Sequence, residues 1–166
     1  PKGRWTIQDG GAIRWSINDN IPHDDHLEMS GQQLSVVLRY GVDAQKRFHL
    51  NRSLVFPMLR MHPNKTQNNL KQRFDVNIPA LVTVDDQTLL NEEVRDVTFN
   101  GIMRVESSFG YIYRRKELKD AVQLTRVLYP STNAAHYCEE YTFKNSSPNQ
   151  ITLRVPEWNV TYTTPE

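Results

Sequence analysis

The densest group of side chains that could bind a metal or transfer a proton lies between Asn20 and Gly31. Two histidines and three carboxylates fall within six consecutive positions of this segment: His23, Asp24, Asp25, His26 and Glu28. Imidazole nitrogens together with carboxylate oxygens suit zinc and the first-row transition metals, and the same groups serve as general acids and bases. The segment is therefore the first candidate for a metal site or an acid–base centre.

The alternation within this segment favours a second interpretation, a polar loop that leads into a strand. A strand that begins near Asp25 would place successive side chains on opposite faces. Its polar face would carry His26, Glu28 and Ser30, and its apolar face Leu27 and Met29. Such a stripe imposes no ligand geometry, so we expect no metal site and no cofactor. The segment from Asn20 to Gly31 is instead predicted to be a loop that faces a partner or ligand.

The same segment contains carboxylates of the kind that glycoside hydrolases use in pairs. Such enzymes hold two carboxyl groups about 5 to 10 Å apart across the sugar bond. Asp24, Asp25 and Glu28 have suitable side chains, but nothing in the sequence places them in a cleft. His136 and Cys138 would share a strand face, which is a weak signal for a catalytic dyad. The sequence therefore assigns no catalytic residue.

Tryptophan offers a different chemistry, because an exposed ring can stack on the face of a sugar. Trp5 and Trp15 alternate with polar residues in stretches that also carry isoleucine, a pattern typical of core positions. Trp158 follows Pro156 and is the better candidate for an exposed ring. We expect it to stack on a sugar or to contact a following domain.

Composition excludes several classes of partner. The formal net charge of the 166 residues is +1, so no strong field would attract nucleic acid. No apolar run approaches the roughly 18 residues that a membrane helix needs, so membrane insertion is not expected. The chain starts at Pro1 without a methionine or signal peptide. Residues 1–166 are therefore expected to form one domain, the N-terminal part of a larger chain.

Alternation with a period of two residues sets the predicted fold class. Short alternating stretches end at turn residues such as Asp9-Gly10-Gly11 and Asn100-Gly101. Pro57 interrupts one stretch and predicts a sheet edge or a bulge there. Roughly ten short strands at this spacing favour an all-β fold, a two-sheet antiparallel β-sandwich with little helix.

Two local predictions are sharper. Tyr141–Asn145 and Ile151–Val155 flank a turn rich in asparagine and serine, so they are predicted to pair as a hairpin. The charged stretch Arg115–Asp120 could hold a short helix.

Several blocks of the sequence resemble the N-terminal region of large exported proteins of Bacteroides-like gut bacteria. They are Pro22-His23-Asp24-Asp25-His26-Leu27-Glu28-Met29-Ser30-Gly31, Tyr40-Gly41-Val42-Asp43, Phe56-Pro57-Met58-Leu59-Arg60 and Pro63-Asn64-Lys65-Thr66. Those proteins are similar to six-hairpin glycosidases, in which a β-sandwich of the supersandwich kind precedes an (α/α)6 catalytic barrel. The predicted late hairpin also looks like one that is common in such sandwiches.

The resemblance implies a non-catalytic accessory domain of a glycoside hydrolase, exported to the periplasm or cell surface. Its partner would be the C-terminal catalytic domain of the same chain, with carbohydrate as a further ligand. No catalytic residue is carried over, because the acid and base of such enzymes usually lie on the barrel. Two alternatives stay open: a free-standing carbohydrate-binding module, and a metal-dependent enzyme that uses the cluster from His23 to Glu28.

Overall fold

The computed structural model describes residues 4–16, 22–60 and 69–161, without the side chains of residues 58–60, 69 and 70. Asn20 and Ile21 of the histidine-rich segment lie outside the described residues, as does the block Pro63-Asn64-Lys65-Thr66.

The described residues are mostly β-strand. In chain order the strands are β1 (Thr6–Ile7), β2 (Ile13–Ser16), β3 (His23–Ser30), β4 (Ser35–Val42), β5 (Phe48–Arg60), β6 (Asn69–Phe74), β7 (Thr83–Val84), β8 (Gln87–Thr88), β9 (Leu90–Phe99), β10 (Met103–Tyr113), β11 (Lys116–Pro130), β12 (Tyr137–Asn145) and β13 (Leu153–Arg154). Helix is confined to two short 3₁₀ turns in this part of the chain, Asp9–Gly11 and Ile78–Leu81. The all-β prediction is confirmed.

The strands form three antiparallel sheets. The larger sheet has the order β1–β2–β9–β10–β11–β12, and the second sheet has the order β3–β4–β5–β6. A small third sheet joins β13, β7 and β8. Strand β3 is thus an edge of the second sheet, and β4 and β5 lie beside it in turn.

The two main sheets pack face to face through one apolar core. The larger sheet contributes Trp15, Val97 and Leu128, and the second sheet contributes Val36 and Leu38. All five side chains are buried, and burial of each of the four aliphatic ones contributes about 1.5–3 kcal/mol relative to an exposed position. The prediction of an antiparallel β-sandwich is therefore confirmed.

The predicted core role of the N-terminal tryptophans is also observed. Trp15 is buried, and Trp5 is half-buried and packs against the same core. The two ring centroids are 6.1 Å apart in a tilted arrangement. A second core lies further along the larger sheet, where Val84, Phe109 and Leu124 pack together.

The predicted hairpin of Tyr141–Asn145 with Ile151–Val155 is wrong. Strand β12 pairs along its whole length with β11, from Val122 opposite Asn145 to Pro130 opposite Tyr137. Strand β13 pairs instead with β7, in the small sheet. The turn residues reverse the chain, but they direct it to a different sheet.

The possible helix at Arg115–Asp120 is also wrong, because β11 begins at Lys116. Tyr113 pairs with Lys116, so Arg114 and Arg115 form a two-residue hairpin turn. Both turn residues have positive φ, 49° and 65°, as a type I′ turn requires. The bulge predicted from Pro57 is confirmed, because the pairing of β5 with β6 shifts register between Phe56 and Arg60.

Candidate functional site

The histidine- and carboxylate-rich segment is a strand and not a loop, which corrects the sequence-based prediction. Strand β3 runs from His23 to Ser30 and pairs in unbroken register with β4. Eight consecutive antiparallel pairs leave no room for the loop conformation that Pro22 suggested. The predicted split of side chains is confirmed: His26, Glu28 and Ser30 are exposed, whereas Met29 is buried and Leu27 is partly buried against the core.

A cross-strand row at one end of the sheet joins Asp24, Gly41 and His49. The register places Asp24 opposite Gly41 on β4, and Gly41 opposite His49 on β5. Across the glycine, Nε2 of His49 lies 2.6 Å from Oδ1 of Asp24. A Cβ atom at Gly41 would lie only 2.2 Å from that oxygen and 2.3 Å from Cε1 of His49. Because Gly41 has no side chain, the side chains of Asp24 and His49 can contact each other above β4.

The next row of the same face joins His26, Arg39 and Asn51, which are also in register. All three are exposed. Within the described residues, no hydrogen bond or ion pair engages the Arg39 guanidinium or the His26 imidazole. These groups are free to bind a partner. The two rows together are called the β3–β5 face below.

The β3–β5 face forms an open depression with a volume of about 490 Å³. It is lined by the side-chain-bearing residues of both rows, together with Val37 and with Asp25 and Tyr40 at its edge. A guanidinium, two imidazoles, a carboxylate and an amide are therefore displayed on an open sheet without an enclosing wall. Such a surface can bind a polar partner, but it does not exclude water as an enclosed catalytic site does.

Two residues of the segment point the other way. The side chain of His23 is 11% exposed, and its ring packs edge-on against Trp15 with centroids 4.6 Å apart. Its Nε2 atom is buried without a hydrogen bond to a described residue, and lies 3.5 Å from Oδ2 of Asp25. Asp25 pairs with Tyr40, and burial followed by the charge of Asp25 raises the pKa of Tyr40 to about 12. His23 and Asp25 thus belong to the inner edge of the sandwich.

The five predicted residues therefore do not converge on one point. Asp24, His26 and Glu28 lie on the β3–β5 side, and His23 and Asp25 lie on the core side. Across the described ranges, no three His, Cys, Asp or Glu side chains are grouped so that they could hold a metal ion.

Trp158 is 43% exposed, as the sequence predicted. Its ring tilts against Phe74, with centroids 5.3 Å apart. The guanidinium carbon of Arg52 lies over the Phe74 ring, 5.0 Å from its centroid. One face of Trp158 is therefore held by the protein, and part of the ring stays open to a ligand.

Sequence reasoning missed the partners that β4 and β5 bring to the face: Arg39, Gly41, His49 and Asn51. The alternation of Leu34–Tyr40 places Arg39 outward, and Gly41 breaks the strand pattern where a close approach is needed. The pairing of these residues with β3 depends on register, which local sequence does not specify.

No protein-family model matches this sequence, and no curated protein or solved structure is significantly similar to it. No helix in the described ranges is long and apolar enough to cross a bilayer.

Proposed function

We propose that this chain is a non-catalytic accessory β-sandwich domain of an exported glycoside hydrolase, and that the β3–β5 face packs on an (α/α)6 catalytic domain. The observation that carries the proposal is the β3–β5 face itself. It presents unpaired Arg39 and His26 beside the Asp24–His49 pair on a broad, open sheet. Interfaces between domains of one chain are relatively polar, so such a face is well suited to one.

The spacing of the exposed carboxylates supports an accessory role. Asp24 and Glu28 lie on the same side of β3, four residues apart. At about 3.3 Å per residue, their Cα atoms are about 13 Å apart. A glycosidase pair holds its carboxyl groups about 5 to 10 Å apart across the sugar bond, whereas the Glu28 carboxylate here accepts from the Ser30 hydroxyl at 3.5 Å. Asp24 is also engaged by His49.

Turnover and domain docking test this proposal. We expect the 166-residue chain to hydrolyse no aryl glycoside and no plant polysaccharide above background. In the parent protein, the triple variant Asp24→Ala/His26→Ala/Arg39→Ala should lower activity or loosen domain docking. The same substitutions in the isolated chain should leave its melting temperature nearly unchanged, because all three side chains are exposed.

The matched control lies on the other main sheet. Arg104 and Glu106 form an ion pair there and are about half exposed. Arg104→Ala/Glu106→Ala should leave activity and docking of the parent protein unchanged. Measurable turnover by the isolated chain, abolished by Asp24→Asn or Glu28→Gln, would contradict the accessory role and support an enzyme.

A free-standing carbohydrate-binding module is a second candidate, favoured by the half-open ring of Trp158. In that case the isolated chain would bind an oligosaccharide, and Trp158→Ala would abolish the binding. Trp5→Ala is the contrasting change, because it would reduce stability through the core without removing an exposed ring.

A further inference from the structure

A second depression lies away from the β3–β5 face, where the turn between β4 and β5 meets the larger sheet. Its volume is about 660 Å³, which exceeds that of the β3–β5 depression. The turn is fixed in place because the backbone N–H of Val94 on β9 donates to the carbonyl of Lys46 at 2.8 Å. Volumes of about 300–1,000 Å³ are typical of ligand sites.

The floor of this depression is an irregular part of the sheet around Gly110. Strand β10 shifts register against β11 between Phe109 and Tyr111, and against β9 between Ser108 and Gly110. A Cβ atom at Gly110 would lie 2.8 Å from Oε1 of Glu117 and 2.9 Å from the carbonyl of Leu118. Bulges of this kind are frequent beside functional sites, where they redirect side chains.

The backbone around the depression is held in uncommon conformations. Lys46, Asn91 and Asp120 line it and have φ values of 62°, 49° and 53°. Residues other than glycine rarely adopt positive φ, and such positions are concentrated at functional sites. The Asn91 amide also donates to Oε1 of Glu117 at 2.7 Å, which holds both side chains at the rim.

The lining chemistry indicates a neutral, hydroxyl-rich ligand. Lys46 and Lys119 oppose Glu93 and Glu117, so the charges are nearly balanced. The other three charged lining residues each have a partner outside the depression: Arg47 pairs with Asp43, Glu92 with Arg126, and Asp120 with Arg95. Amide, carboxylate and ammonium groups can together donate to and accept from the hydroxyls of a sugar ring. A free anion or cation would find no surplus of opposite charge.

We infer that this depression binds a neutral oligosaccharide. The choice of sugar as ligand rests on the proposed role in a glycoside hydrolase, whereas the position of the site rests on the geometry around Gly110. Glu93 and Lys119 are the side chains expected to contact the ligand directly, because both are exposed, line the depression and make no side-chain hydrogen bond or ion pair with another described residue.

The test is a titration of the ¹⁵N-labelled chain with cellohexaose, xylohexaose, mannohexaose and maltohexaose, followed by amide chemical shifts. At least one of these sugars should produce saturable shifts at the backbone amides of Asn91, Gly110 and Lys119. The double variant Glu93→Gln/Lys119→Met should weaken this binding by about tenfold or more, since it removes two charge-assisted hydrogen bonds. Arg104→Ala/Glu106→Ala and Trp158→Ala should leave the binding unchanged.

Three results would overturn the inference. One is the absence of shifts at these amides with all four sugars. Another is tighter binding of hexagalacturonate, an anionic probe, than of every neutral sugar. The third is loss of sugar binding in Trp158→Ala with full retention in Glu93→Gln/Lys119→Met. None of these results bears on docking through the β3–β5 face, so failure of this inference is distinguishable from failure of the proposed function.

Discussion

Gly41 determines how closely Asp24 and His49 approach each other across β4. A side chain at this position would overlap both of them, since its Cβ would lie within 2.4 Å of three of their atoms. The glycine costs some strand stability through backbone entropy. In return it lets an aspartate on the edge strand reach a histidine two strands away, and it keeps this end of the β3–β5 face flat.

Tyr40, on the core side of β4, gives a prediction about alkaline pH. Burial, and then the charge of Asp25, raises its pKa from 10.0 to about 12. The unfolded chain releases this proton first, so the stability due to the neutral phenol is fully present below about pH 10 and is lost as pH rises toward 12. We expect the free energy of unfolding in urea to fall less steeply across this window in Tyr40→Phe than in the wild type.

Two other buried tyrosines also have raised pKa values, so Tyr40→Phe should remove only part of the pH dependence of the free energy of unfolding. Burial, followed by the charge of Glu139, also raises the pKa of Tyr137 and of Tyr141. An identical slope in Tyr40→Phe and in the wild type would contradict the assignment of a buried, neutral Tyr40.

At the scale of the strand, β3 combines two different surfaces. Its outward residues Asp24, His26 and Glu28 are charged or polar, and its first inward residues, His23 and Asp25, are also polar. Charged side chains on an edge strand discourage pairing with other chains, and inward-pointing charges do so as well. The polar composition of β3 thus has a structural explanation that is independent of any ligand.

The two histidines of β3 form a matched pair for a stability test. His23→Ala removes a ring that packs against Trp15, so it should lower the free energy of unfolding by about 1–3 kcal/mol. His26→Ala removes an exposed ring and should change it by less than about 0.5 kcal/mol. Urea denaturation of both variants provides the measurement. Equal effects would mean that the two rings do not lie on opposite faces.

The sequence predicted individual strands better than their partners. Alternation placed His26, Glu28 and Ser30 on one face of β3, and the structure agrees. The loop after β12 is closed by hydrogen bonds of its own: Asn145 Nδ2 donates to the carbonyl of Asn149 at 2.7 Å. The backbone N–H of Ser146 also donates to the carbonyl of Ala121 on β11. Turn chemistry therefore showed where the chain reverses, but not that Leu153 would pair with Val84 in another sheet.

The sequence predicted only the β3 part of the candidate site, because strand pairing decides which other residues join it. The cluster on β3 is contiguous in the chain, so its residue types are visible at once. Arg39 and Asn51 reach it only through the register of three strands. That register is specified by which side chains fill the shared core, a property of the whole sandwich rather than of any one segment.

At the scale of the whole molecule, buried ion pairs accompany the apolar core. Arg52 of the second sheet is 2% exposed and pairs with Glu139 of the larger sheet, with Nη2 and Oε2 2.8 Å apart. Arg126 is also buried; it lies 2.6 Å from Glu92 and 5.1 Å from the ring centroid of Phe48 on the second sheet. These contacts fix one sheet relative to the other with directional bonds, which apolar packing alone does not provide.

Removing one member of such a buried ion pair should lower the free energy of unfolding. Glu139→Gln leaves the Arg52 charge buried without its carboxylate, so the free energy of unfolding should fall by about 3 kcal/mol. Glu140→Gln is the control, because Glu140 is the exposed neighbour on the same strand and should change stability by less than about 1 kcal/mol. Thermal unfolding followed by circular dichroism would compare them, and equal effects would contradict a buried link between the sheets.

The central claim is that the β3–β5 face packs on a catalytic domain. Hydrogen–deuterium exchange, compared between the isolated chain and the parent protein, tests it most directly. Strand β3 is an edge, so some of its backbone amides have no partner strand to protect them. In the parent protein we expect slower exchange in peptides that cover 23–30 and 35–42, and unchanged exchange in peptides that cover 103–113. Identical exchange of β3 and β4 in both proteins, or protection confined to the larger sheet, would contradict the claim.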